Sequence, residues 1–135
     1  MDDARFERGR RKLDEVDGEA GKRVIEGLAD VAPDLGRYIV EFAFGDIYSR
    51  PGLDLRSRQV ATVAALAALG GCEAQLKVHV NAALNVGLTR EEIVETIMQM
   101  AVYAGFPAAL NGIAVAREVF AERDAPATSQ GMPAT

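Results

Sequence analysis

The chain has 135 residues, 49% of them hydrophobic, and a formal net charge of −5. That length suits one domain with its own core, the single cysteine excludes a disulfide scaffold, and the acidic balance argues against nucleic acid as a partner. The lone thiol, the charged N-terminal stretch "MDDARFERGRRKL" and the lack of a long apolar run predict a cytoplasmic protein with no membrane span.

The periodicity is helical from end to end, and no segment alternates as a strand does. The basic cluster "RFERGRRK" sits among acidic residues and reads as a solvated first helix or arm. Val24, Ile25, Leu28 and Val31 recur at helical spacing in a segment ending near Ala32. Pro33 suits the first turn of the next helix, for which Leu35, Ile39, Phe42, Ala43 and Ile47 supply an apolar stripe. Pro51 and Gly52 break that helix.

Asp54 is placed to cap a helix from Leu55 to about Leu69, whose second half, "VATVAALAAL", is apolar on every side. Such a helix is buried all round, and in a short chain another subunit is one way to bury it. Gly70 and Gly71 end it, and a helix over 72–86 follows, stopped by Gly87. "TREE" forms a capping box, with Thr89 as cap and Glu92 three residues on. Ile93, Ile97, Ala101 and Ala104 continue that helix, and Gly105 and Pro107 separate it from the last one, "AALNGIAVAREVFAE". The count comes to about six helices. Residues 1–123 read as one helical domain, and 124–135, which lack apolar periodicity, as a disordered tail.

The only cysteine and the only histidine lie together in "GGCEAQLKVHV". Cys72, Gln75 and His79 are spaced three and four apart, so on a helix all three project from one side. The start of that helix lies near Cys72, where the dipole favours a thiolate. The bland alternative is a structural cysteine and a structural histidine in a core. A second polar cluster is "DLRSRQ". Arg58 is either part of a charged first turn or an arginine that binds a carboxylate with both arms of its fork. Tyr48 and Arg50 lie nearby in "YSRPG". One histidine and one cysteine make no zinc set, and neither a nucleophile elbow nor a phosphate loop is present.

The stretches "FAFGDIYSRPGLDLRSRQ" and "QLKVHVNAALNVGLTREEIVETIMQMAVYAGFPAALNGIAVAREVF" resemble the carboxymuconolactone decarboxylase family, within the wider AhpD-like alkylhydroperoxidase group. The match runs from about Tyr38 to Phe120, and its most specific part is "H…ALN.G.TREEI". The resemblance implies an all-α, AhpD-like helical bundle that assembles as a trimer or hexamer through buried apolar interfaces. It also implies a cofactor-free decarboxylase of 4-carboxymuconolactone or a related carboxylated lactone, in the protocatechuate branch of aromatic degradation.

Peroxidase-like members of the group carry CxxC followed by a histidine. Cys72 stands at the first cysteine, Gln75 at the second and His79 at the histidine. The redox pair is therefore broken, because Gln75 has no sulfur. Many relatives read "RSRE" where this chain has "RSRQ", so Gln59 replaces a titratable glutamate. On this reading His79 is the proton donor, with Gln59 and Cys72 beside it in the catalytic set. Arg58 and Arg50 hold the substrate carboxylates, Gln75 hydrogen-bonds the lactone, and Tyr48 and Tyr103 wall the pocket. The alternatives are a thiol-dependent peroxidase or reductase working through Cys72, and a non-catalytic oligomer that binds a small molecule.

Overall fold

The computed structural model describes residues 3–126, and within them every regular element is a helix. Seven α-helices run α1 (Asp3–Asp17), α2 (Glu19–Glu26), α3 (Pro33–Tyr38), α4 (Leu55–Leu69), α5 (Glu73–Asn85), α6 (Arg90–Ala104) and α7 (Phe106–Asp124). Between α3 and α4 the helix continues without a break as a π-helical segment, Ile39–Ile47. No described helix is long and apolar enough to cross a membrane.

The seven helices exceed the count of about six predicted from periodicity. The extra one is the N-terminal stretch read as a helix or arm, which forms α1, and Gly18 at φ +60° separates it from α2. The other boundaries follow local chemistry. Pro33 opens α3. The Asp54 carboxylate accepts from the Ser57 amide at 2.7 Å and caps α4. Thr89 and Glu92 form a complete capping box at α6. Arg56 then reaches across from α4 to Glu92 at 2.7 Å, which ties the two helix starts together. Of the expected tail, Asp124 is the last residue of α7, bonded to Arg90 at 2.7 Å, and 127–135 lies outside the described residues.

Two apolar clusters make the core. One lies among α4, α5, α6 and α7 and is centred on Val63, Val80, Ile93, Ile97 and Val119. The other joins α1, the π segment and α5 through Leu13, Val16, Val40, Phe44 and Ala82. Here the predicted stripe is corrected. Ile39 and Ala43 of that stripe pack partly buried against the core, but Leu35, Phe42 and Ile47 are exposed, and the buried positions of α3 and the π segment are Gly36, Val40, Glu41, Phe44 and Gly45. A π-helix advances about 4.4 residues per turn against 3.6, so a stripe drawn at α spacing rotates off the buried side. Glu41 is only 5% exposed, and it is held by Arg37 at 3.1 Å and Arg5 at 3.6 Å.

The apolar α4 helix is not enclosed by its own chain. Val63 and Ala67 are buried, whereas Leu69 is 76% exposed and Val60 39%. Val102, Tyr103, Phe106 and Leu110 are open apolar side chains too, and Phe106 and Leu110 line one apolar groove with Met98 and Ile113.

Candidate active site

The site is built where α4, α5 and the end of the π segment meet. Gln59, on the second turn of α4, is fully buried. Its Nε2 donates to the Tyr48 hydroxyl at 3.2 Å, and its Oε1 lies 3.3 Å from His79 Nδ1 on α5. Tyr48, just after the π segment, sits 2.6 Å from Thr62 Oγ1, and Thr62 donates to the Arg58 carbonyl at 2.8 Å.

The direction of this chain fixes the histidine tautomer. A hydroxyl has one proton to give, and Thr62 spends its proton on the Arg58 carbonyl. Tyr48 therefore donates to Thr62, and its oxygen accepts from Gln59 Nε2. That turns Gln59 Oε1 toward His79, so the proton of the neutral imidazole sits on Nδ1. Nε2 keeps its lone pair and has no protein partner among the described residues. Burial pushes the imidazole below its ordinary pKa, so the resting ring is neutral at neutral pH.

His79 opens onto a cavity of about 280 Å³. This is at the small end of ligand pockets, which start near 300 Å³. Leu13, Val24, Ile25, Ile39, Phe44 and Val78 make it apolar, and Gln75 and Asp17 are its other polar members. Among the described residues that line it, none is Lys or Arg.

Asp17 was missed in the sequence reading. As the last residue of α1 it has no motif around it, and it reaches the cavity through the packing of α1 on the π segment and α5. Gly21 lets α2 close over it, since a Cβ at that position would stand 2.7 Å from Asp17 Cβ. Asp17 is 8% exposed, and its Oδ1 has no hydrogen-bond partner among the described residues. Burial raises its pKa to about 6. Because the folded value lies above the unfolded one, Asp17 favours folding fully below about pH 4, and this is lost as pH rises through about 6. A shift of that size corresponds to about 3 kcal/mol. Asp17→Asn should therefore unfold at higher urea than the wild type at pH 8 and lose that advantage at pH 4. Equal urea midpoint differences at both pH values would show that the carboxyl titrates normally.

The other sequence candidates divide. Gln75 lines the cavity with His79. Cys72 does not share their face: it precedes the first residue of α5 with φ −130° and ψ 45°, and its thiol donates to the Leu66 carbonyl at 3.3 Å. The non-helical backbone at Cys72 is what breaks the expected three-residue face. The Arg58 side chain donates to the carbonyls of Leu53 and Arg50, both at 3.1 Å, and lies over the Tyr48 ring at 5.9 Å. It braces the loop before α4 and is not among the residues lining the cavity. Arg50 is exposed, and so is Tyr103, at 78%; neither lines the cavity. Among the described residues no three His, Cys, Asp or Glu side chains converge as metal ligands would.

Comparison with known proteins agrees with this architecture. The chain is 39% identical over 120 residues to the 4-carboxymuconolactone decarboxylase of Acinetobacter baylyi, covering 88% of this chain and 89% of that one. It is 35% identical over 101 residues to an uncharacterized 15.0 kDa protein of Paracoccus denitrificans, covering 74% and 75%. Over 82 residues it is 35% identical to the nitrosuccinic acid decarboxylase of Metarhizium robertsii, covering 59% and 55%. Residues 33–118, from the start of α3 into α7, match the model of the carboxymuconolactone decarboxylase family, and the chain belongs to that family.

Proposed function

We propose that this protein is a cofactor-free carboxy-lyase acting on 4-carboxymuconolactone or a closely related carboxylated lactone in aromatic degradation. The observation that carries the reading is the small apolar cavity lined by an oriented histidine, in a chain of a decarboxylase family. Loss of CO₂ leaves an electron pair on carbon that spreads into the conjugated lactone carbonyl. A carboxylate moved out of water into an apolar cavity lined by no Lys or Arg loses much of its solvation, whereas the delocalised dienolate loses less.

His79 is the proton donor in this reading. The resting ring is neutral, but the negative charge of the substrate favours the imidazolium and so loads Nε2 with a proton. Gln59 keeps Nδ1 turned inward, which leaves Nε2 for the lactone oxygen as charge develops there. The broken thiol pair gains nothing from the geometry, because Cys72 lies outside the cavity. The test is release of CO₂ from 4-carboxymuconolactone by the purified protein. No turnover with this lactone or its carboxylated analogues would end the reading.

Self-association is part of the proposal, with a second copy of the chain as the occupant of the open apolar surface. Phe106 and Leu110, 76% and 67% exposed, line one open apolar groove with Met98, Ala101 and Ile113, and Leu69 and Val102 are each 76% exposed as well. We expect a trimer or hexamer by light scattering. The double change Phe106→Glu and Leu110→Glu should shift it to a monomer, since it would bury two charges per interface. A wild-type chain that stays monomeric at micromolar concentration would refute this.

A further inference from the structure

The cavity is not closed off at Asp17. The same residue also lines a second, polar cleft of about 800 Å³, together with Arg23, Asn81, Asn85, Glu122 and Arg123. Asp17 thus forms a wall between an apolar chamber holding His79 and a polar one open to solvent. Nothing in the packing accounts for a carboxyl group there. It sits at the C-terminal end of α1, where the helix dipole disfavours negative charge, and its buried Oδ1 has no partner among the described residues. The cleft side is held in place independently of it. Arg123 is committed to Asn81 Oδ1 and Asn85 Oδ1, both at 2.9 Å, and Asn85 Nδ2 donates to the Val16 carbonyl at 3.0 Å.

We infer that Asp17 is a second catalytic acid of this cavity, one that protonates the carbon of the bound dienol and is recharged from the polar cleft behind it. The inference rests on the decarboxylase reading above.

The two acids balance as follows. The substrate carboxylate leaves as CO₂, its electron pair passes into the lactone system, and the lactone oxygen takes a proton from the His79 imidazolium, giving a neutral dienol and a neutral ring. The Asp17 carboxyl then gives its proton to the ring carbon next to the carbonyl, while His79 Nε2 takes back the proton on oxygen. The product departs, Asp17 is left as carboxylate, and one proton from the cleft restores it. The reaction consumes one proton per turnover, as loss of CO₂ from a carboxylate requires, and Asp17 is its point of entry.

The groups facing Asp17 support this division. On the cavity side is the neutral His79, and behind it is the Tyr48 hydroxyl, whose pKa is raised chiefly by burial and also by the charge of Asp17. On the cleft side are Arg23, Arg123 and Glu122. None forms an ion pair with Asp17 that would hold it ionised. A substrate anion in the cavity further favours the protonated acid.

The test uses the full chain with 4-carboxymuconolactone in D₂O, with CO₂ release and the position of deuterium in the product both read. The wild type should place one deuteron at a single face of the carbon next to the carbonyl, and kcat should fall as pH rises past the Asp17 titration. Asp17→Asn should lower kcat by about a hundredfold, lose that alkaline fall, and scatter deuterium over both faces, because water then protonates the dienol. If it fails to fold by thermal melting, Asp17→Ser is used in its place. An active wild type whose folded Asp17 variant keeps kcat within threefold, with single-face deuteration, overturns this inference and leaves the decarboxylase reading standing. A wild type that releases no CO₂ overturns both.

Discussion

Replacing His79 with alanine lowers kcat on a carboxylated lactone by about a hundredfold or more, the usual scale for a positioned proton donor. No second histidine exists to take over its role. Its ring is half-buried between an apolar cavity and the Gln59 amide, so the change removes a polar group from a cavity wall rather than a packed core side chain. The fold should survive, with Gln59 Oε1 losing its partner at a cost of about 1–3 kcal/mol. The effect should fall on kcat, since the proton transfer belongs to the transition state, with KM changing little. A folded His79→Ala variant with wild-type kcat would make the histidine structural and remove the proposed mechanism.

The Nδ1–H tautomer of His79 depends on Gln59. Relatives that read "RSRE" set a carboxylate where this chain has Gln59. A glutamate would orient Nδ1 in the same way and also stabilise the imidazolium. Gln59 preserves the first effect and abandons the second. In this chain the charge that makes His79 an acid has to come from the substrate. His79 should accordingly stay neutral in the free protein, and its ring should gain a proton when an unreactive dicarboxylate occupies the cavity.

Much of this fold was legible in the sequence where one residue decides one boundary. Pro33, Asp54, the pair Thr89 and Glu92, and Gly105 all stand where capping chemistry put them. The π segment was not legible, because Ile39–Ile47 has the same kind of apolar spacing as an α-helix, and only packing against α1 selects the wider turn. The site divided for a similar reason. Gln75 and His79 are four apart within one regular helix, so their shared face was readable. Cys72 lies one residue outside that helix, where helical spacing no longer holds. Asp17 comes from a separate helix, more than fifty residues earlier in the chain. Its place at the cavity depends on the close packing of α1 on the π segment and α5, a contact with no spacing signature.

That close contact extends along α1 and sets the second large effect. Gly9 on α1 faces Gly45 in the π segment: a Cβ built at Gly45 would lie 3.6 Å from Gly9 Cα and 2.9 Å from the Arg5 carbonyl oxygen. A Cβ at Gly9 would overlap the Val40 carbonyl oxygen and stand 2.8 Å from its carbon. The obstacle is backbone, which cannot turn aside as a side-chain tip can. Arg8 also donates to the Gly45 carbonyl at 2.9 Å, and Arg5 grips Asp46 at 2.6 Å, so the two elements are held at this separation from both sides. Gly9→Ala must therefore pry α1 from the π segment, which disturbs Phe44 and Leu13 in the cavity wall and the seat of Asp17 further along α1. The expected loss is about 3 kcal/mol or more, above the usual range for overpacking. That corresponds to a fall in Tm of roughly 10 °C. Gly52→Ala is the control, because nothing lies within 4 Å of a Cβ at that position, and it should melt with the wild type. If Gly9→Ala also melts with the wild type, α1 does not pack on the π segment as described, and the placement of Asp17 beside His79 falls with it.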